Sequence, residues 1–216
     1  MIFKKIHIFY YLTFLYMIIS VVLGFILSNG LVIFLGWNIF LATIVFLLAE
    51  IYVHFRREKS KPIFLTVILI LYVLFFPNTI YVLTDFIHLE NYHFFSQYPD
   101  MYAMIISDWL VFMHITIGAL YAAKLGIASL NKLELHQSMQ FKKYKYLILS
   151  SLFFLSSLGI FIGRFLRFNS WQIFDFFSIL SGIFSHVEFA LVFILIFFIL
   201  HWVSYFIFSQ KDKISL

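Results

Sequence analysis

The chain has 216 residues, of which 63% are hydrophobic and 12% charged, far more apolar than a soluble domain of this length, so it reads as an integral membrane protein with no room for a second, soluble domain. Cysteine is absent, which excludes disulfides, zinc–thiolate sites and thiol nucleophiles. The net charge of +5 comes from basic residues clustered beside apolar runs, a pattern of membrane orientation and not of nucleic-acid binding.

The first apolar run, about residues 9–28, follows Lys4 and Lys5. It is too long for a signal peptide and no small-x-small cleavage site follows, so it is expected to be an uncleaved anchor. A Ser28-Asn29-Gly30 turn leads into a second run, 31–53, which ends among Glu50, His54, Arg56, Arg57, Lys59 and Lys61. The third, about 62–84, starts at Pro62 and is interrupted at Pro77; a polar loop with Glu90, His93 and Asp100 follows. The fourth, 101–123, holds Asp108 and His114 and runs into a basic connection with Lys124, Lys132, Lys142, Lys143 and Lys145. The fifth, 146–163, ends at Arg164, and the sixth spans about 187–208 with Trp202 and Tyr205 at its end. Between these two, Asp175, Ser178, Gly182 and Ser185 recur at helical spacing among phenylalanines, which predicts an amphipathic helix lying on the outer interface. The fold class is therefore all-α, one membrane domain over residues 1–216 with about six transmembrane helices, each close to the ~20 residues a bilayer requires.

With the N- and C-termini cytoplasmic, thirteen of the fifteen lysines and arginines fall on the inner side, as the positive-inside rule demands. The exceptions are Arg164 and Arg167. Asp85, Glu90, Asp100, Asp175 and Glu188 share that outer side, with Asp108 about two turns into its span. The outer face thus carries acids, imidazoles and two guanidiniums.

Pro77 lacks an N–H and clashes with the preceding turn, leaving a carbonyl without its helical partner. In hydrocarbon that group needs protein or water beside it. If a helix restarts there, Asn78, Tyr81, Asp85 and His88 fall on one face, as either a site lining or a capped kink. In the fifth span, Ser156, Gly159, Gly163, Arg167 and Ser170 share a face, and Gly159-x-x-x-Gly163 permits a close neighbour. Arg164 and Arg167 suit a carboxylate or phosphate, or equally a structural ion pair with Asp85, Asp108 or Glu188. Asp108 and His114 are six positions apart and point to different sides of their helix. Asp85 and His88, with His93, His186 and Glu188, offer oxygen and nitrogen ligands to a divalent metal, but an Asp and a His at i and i+3 are a weak signal. No strong cofactor motif is present: there is no Gly-rich phosphate loop, no His-Glu-x-x-His and no Gly-x-Ser-x-Gly.

Phe76-Pro77-Asn78-Thr79-Ile80-Tyr81-Val82-Leu83-Thr84-Asp85-Phe86-Ile87-His88-Leu89, together with Gly163-Arg164-Phe165-Leu166-Arg167-Phe168-Asn169-Ser170-Trp171, resembles an uncharacterised family of bacterial multi-pass membrane proteins, domain of unknown function 1361. That family pairs a Leu-Pro-Asn-x-x-Tyr-x-x-Thr-Asp-Leu-x-His segment with a Gly-Arg-Phe-x-Arg-x-Asn-Ser-Trp segment, both found here in order, with Phe76 and Phe86 at the two leucine positions and Thr79 where a smaller residue is expected. The resemblance implies a bacterial cytoplasmic membrane and supplies no established reaction.

Three functions follow as expectations. The first is a membrane-embedded enzyme at the outer leaflet, in which Asp85 or His88 is acid or base and Arg164 and Arg167 hold an anionic or lipid-linked substrate, with Asn78, Tyr81, Asn169, Trp171 and Asp108 lining its place. The second is a transporter or channel component that uses the Pro77 break and His114. The third is a structural partner in a larger membrane complex. A path needs polar lining on the inner half, where Glu50 stands out with only Asn38 or His114 to add to it, and that scarcity favours a one-sided site.

Overall fold

A computed structural model describes residues 7–95, 101–136, 139–167 and 175–209. The helices are α1 (Ile8–Ile26), α2 (Gly30–Arg57), α3 (Pro62–Phe75), α4 (Asn78–Tyr81), α5 (Ile106–Glu134), α6 (Met139–Arg164), α7 (Phe176–Ser185) and α8 (Val187–Phe208), with a 3-10 segment over Val82–Asn91 between α4 and α5. Among the described residues the one extended pairing is an isolated bridge between Phe95 and Tyr102. Six helical stretches among the described residues are long and apolar enough to cross a membrane, the third comprising α3, α4 and the 3-10 segment. Even α1, with 19 residues, spans about 28 Å, which matches a hydrocarbon core of about 30 Å.

The helix ends follow from local sequence. The His7 ring accepts a hydrogen bond from the Phe9 N–H at 3.3 Å and so caps α1. Asn29 caps α2 by accepting from the Leu31 N–H at 3.0 Å, while Ser28, at φ 49°, turns the chain between them. Lys59, at φ 54°, closes α2, with the Ser60 N–H reaching the Phe55 carbonyl at 3.0 Å. Pro62 opens α3 at a position where its missing N–H costs nothing.

The chain forms two compact units, one from residues 1–44 and 78–125, the other from 45–77 and 126–216. Helices α2 and α5 each give their first part to the first unit and their last part to the second, and the border in the third span falls between Pro77 and Asn78.

In the first unit α1 buries Thr13, Tyr16, Ser20 and Gly24, at spacings of three and four that make one face. The opposite face exposes Leu12, Phe14, Leu15, Ile19, Val22 and Phe25. Polar inside and bulky apolar outside is the arrangement lipid imposes, since hydroxyls need protein partners there and leucine does not. Two glycines let the backbones approach. A Cβ at Gly36 would lie 3.0 Å from the Ser20 Cβ, and one at Gly118 would collide with the Tyr16 hydroxyl.

The second unit has a continuous apolar core that includes Val45, Ala49, Val53, Ile68, Phe76, Ile127, Leu149 and Phe153. A smaller cluster joins Phe161 on α6 to Ala190 and Ile194 on α8. Helix α8 repeats the logic of α1: Ala190, Ile194, Phe197, His201, Ser204 and Tyr205 are buried, while Leu191, Leu195, Ile199, Val203 and Phe206 face outward. Helix α7 is present as expected from its spacing, capped by Asp175, whose carboxylate accepts from the Ser178 N–H at 3.4 Å. Leu166 packs against Gly182, 2.9 Å from where a Cβ would be.

The third span differs from the expected simple restart. One turn of α-helix follows Pro77, and the chain then tightens into 3-10 geometry, where residues three apart eclipse one another. Asp85 and His88 stay on one ridge, but the α-helical spacing no longer carries that ridge back to Asn78.

Candidate polar site in the first unit

Asp85 is fully buried, with 0% of its surface exposed. Its Oδ2 accepts a hydrogen bond from the side-chain amide of Asn38 at 2.8 Å. Asn38 is itself 4% exposed, on the part of α2 that belongs to the first unit. A carboxylate in a membrane span is costly unless donors surround it, and the amide supplies one. Beside it, the Thr84 hydroxyl donates to the Tyr81 carbonyl at 2.7 Å, which ties off backbone left over where the helix changes pitch.

The same unit holds a second cluster. The Ser20 hydroxyl donates to the Tyr16 carbonyl at 2.8 Å, so at 2.9 Å it accepts from Nε2 of His114. The Tyr16 hydroxyl donates to the His114 carbonyl at 2.9 Å, and the two rings stack with centroids 4.4 Å apart. The absence of a side chain at Gly118 is what allows the phenol to reach that carbonyl.

A third cluster joins the Thr13 hydroxyl to that of Thr43 at 2.7 Å and to that of Tyr121 at 3.0 Å. Tyr121 donates onward to the Phe9 carbonyl at 2.6 Å. Counting 1.5 Å per residue from the Ile26 end of α1 and the Gly30 end of α2, Ser20 and Asn38 lie about 9–12 Å in, Tyr16 about 15 Å, and Thr13 and Thr43 about 20 Å. The cluster of Thr13 and Thr43 therefore lies deepest from that end, and the other two overlap in depth.

Asp108 occupies the first turn of α5, where the helix N-terminus favours an anion. It accepts from the His93 backbone N–H at 2.8 Å and from the Ser107 hydroxyl at 3.1 Å. His114 bonds to α1, so the two residues do serve different partners, as their spacing requires.

The remaining predicted residues are placed as follows. Asn78, Tyr81 and His88 are half-buried in the first unit, and the His93 side chain is exposed. Arg164 is the half-buried last residue of α6 and Arg167 is exposed at φ 56°, both in the second unit with His186 and Glu188, which are exposed where α7 meets α8. Asn169 and Trp171 lie outside the described residues. Among the described residues no three His, Asp or Glu side chains gather as a metal site.

Sequence reasoning did not single out Thr13, Tyr16, Ser20, Thr43 or Tyr121. A signal was there: Thr13, Tyr16 and Ser20 recur at three and four in an otherwise apolar run. The second unit has a comparable buried group around His201, a residue that was likewise not singled out. Nδ1 of His201 donates to the Phe197 carbonyl at 2.7 Å, and Nε2 meets the Ser156 hydroxyl at 2.8 Å.

No curated protein and no solved structure matches the chain. A family model described as protein of unknown function DUF1361 matches residues 37–204, which include both the Pro77–His88 and the Gly163–Trp171 segments, and the chain belongs to that family.

Proposed function

We propose that this protein is a membrane transporter that moves protons through its first unit, with Asp85 as the group that takes up and releases the proton. The observation that carries the reading is the set of buried hydrogen-bonding clusters in that unit, with Thr13, Thr43 and Tyr121 deepest from the Ile26 end of α1 and Tyr16, Ser20, His114, Asn38 and Asp85 nearer to it. Hydroxyl and imidazole groups pass protons along hydrogen bonds, and an ionisable residue inside a span marks such a route. The scarcity of polar lining on the inner half, the argument for a one-sided site, is met by Thr13, Thr43 and Tyr121. A catalytic role for Asp85 is weakened by its complete burial, since an acid or base must reach its substrate. The reading keeps the orientation expected from the basic residues, with both termini cytoplasmic in a bacterial plasma membrane.

The test is flux into vesicles reconstituted with the purified chain and loaded with a pH-sensitive dye, under an imposed membrane potential. Asp85→Asn, which keeps the shape and one acceptor oxygen, abolishes the flux on this reading. Wild-type vesicles no leakier than empty ones, or an Asp85→Asn variant as fast as wild type, overturn it.

One observation supports a second reading. Arg167 holds a left-handed backbone conformation, φ 56°, which a non-glycine residue adopts at some cost and which often marks a functional position. With Arg164 nearby in the chain, it supports binding of an anionic or lipid-linked substrate at that end of the second unit. Loss of such binding in Arg167→Gln, with Arg167→Gly retaining the fold, tests it.

A further inference from the structure

The second unit holds a groove of about 540 Å³ between α3, the end of α5 and the middle of α6, within the roughly 300–1,000 Å³ of small-molecule sites. We propose that it binds one acyl chain of an anionic phospholipid whose headgroup sits at the basic end of the unit. The walls include Leu69, Val73, Leu130, Leu133, Leu152 and Leu155. The polar groups among the lining are already engaged. Tyr72 is bonded to Ser129 at 2.8 Å, Ser151 donates to the Leu147 carbonyl at 3.0 Å, and Tyr52 accepts from Arg56 at 3.0 Å. Glu134 accepts from Tyr205 at 2.9 Å and from Lys145 at 2.5 Å. The wall therefore offers an occupant apolar surface, and residues Leu147 to Leu155 extend it for about 12 Å along α6.

Charge decides the occupant. Tyr52 and Glu134 belong to the lining, and each brings a cation: the Arg56 guanidinium lies over the Tyr52 ring, 5.8 Å from its centroid, and Lys145 is held by Glu134. Two cations and one carboxylate thus stand beside an apolar slot, a net single positive charge. A basic pocket between transmembrane helices is the recognised form of an anionic-lipid site, and each cation near the surface favours such a headgroup about fivefold. A neutral helix from another protein would gain nothing from Arg56 and Lys145.

The experiment is native mass spectrometry of the full chain in detergent, offered phosphatidylglycerol and phosphatidylcholine of the same acyl length. The expected result is one retained phosphatidylglycerol, preferred about fivefold from the one net positive charge that two cations and one carboxylate leave. Arg56→Gln lowers that preference about fivefold, and Val73→Trp, which fills the slot, removes the retained lipid. Should Val73→Trp fail to fold, wild-type protein with a phosphatidylglycerol carrying a photoreactive tail decides: crosslinks concentrated on Leu69, Val73, Leu152 and Leu155 support the site. Equal retention of the two lipids, lipid retained by a folded Val73→Trp, a dimer that retains no lipid, or crosslinks spread over the outer faces of α1 and α8 overturn it. None of these readouts depends on proton flux.

Discussion

The amide of Asn38 donates to Oδ2 of Asp85 at 2.8 Å, and both side chains are shut away from the surface of their unit. The bond ties α2 to the 3-10 segment that follows the proline break. It gives the buried carboxylate a neutral donor that stays in place whether or not the acid is protonated. On the proposed reading, that suits a group that takes up and releases a proton.

Asn38→Leu should therefore be costly, because it leaves the carboxylate without that donor. Hydrogen bonds to charged groups contribute about 1.5–3 kcal/mol, and a loss of that size is expected in mixed-micelle unfolding. Asn38→Asp is expected to be worse, since two carboxylates would share one dry site. Asn38→Leu combined with Asp85→Leu should recover part of the loss. A double variant whose loss equals the sum of the single losses would show that the two groups are not coupled.

His114 makes two separable contributions, the stack on Tyr16 and the bond to Ser20. Ser20→Ala removes the bond alone, and interhelical hydrogen bonds in membranes average about 0.6 kcal/mol with a maximum near 1.7. His114→Phe keeps a ring over Tyr16 and should cost about the same. His114→Ala also leaves a cavity and should cost about 2–4 kcal/mol by analogy with large-to-small core changes. If proton flux depends on this cluster, His114→Phe lowers it while the protein remains folded; unchanged flux would take His114 off the route.

The six spans and their order were legible because a helix crossing hydrocarbon needs about 20 consecutive apolar residues, a run longer than a helix in a water-soluble core requires. Their ends were less so. Span four was expected from residue 101, yet α5 begins at Ile106. Residues 101–105 are held outside the helix by the Phe95–Tyr102 bridge and by the Trp109 indole N–H donating to the Ala103 carbonyl at 3.0 Å. Helix α6 starts at Met139 and not near 146, because hydropathy reads the bilayer while lysines continue a helix beyond it. The hydroxyl clusters went unnoticed because Ser20 and Thr43 also bond to the carbonyl one turn back and so sit in apolar helices at little cost. What joins Thr13 to Tyr121, or Asn38 to Asp85, is tertiary structure, which a one-dimensional pattern does not contain.

Glu134 lies between Lys145 and the Tyr205 hydroxyl, with 17% of its side chain exposed and 22% of that of Lys145. Breaking a fully buried pair costs about 3–5 kcal/mol, and with this residual exposure Lys145→Met should cost somewhat less. Tyr205→Phe should cost about 1–2 kcal/mol, because Lys145 still compensates the carboxylate. Glu134→Gln with Lys145→Met should be more stable than Lys145→Met alone, in unfolding measured at fixed ionic strength. The opposite order would mean that the carboxylate is adequately solvated without the lysine.

Gly159 is the counterpart of the proline break within the second unit. A Cβ there would sit 3.0 Å from Cγ of Pro77, tighter than carbon atoms tolerate without moving, and Pro77 is a rigid ring that cannot swing aside as a long side chain would. Gly159→Ala should therefore destabilise by about 1–3 kcal/mol, the range for overpacking, even though alanine is the better helix former by about 1 kcal/mol. Removing the ring reverses the sign. In a Pro77→Ala background Cγ is gone, the clash with it, and Gly159→Ala should be neutral or stabilising. Measuring the four proteins of this cycle isolates the contact from helix propensity. If Gly159→Ala costs the same with and without Pro77, the two residues are not in contact and the close approach of α6 to the end of α3 is set elsewhere.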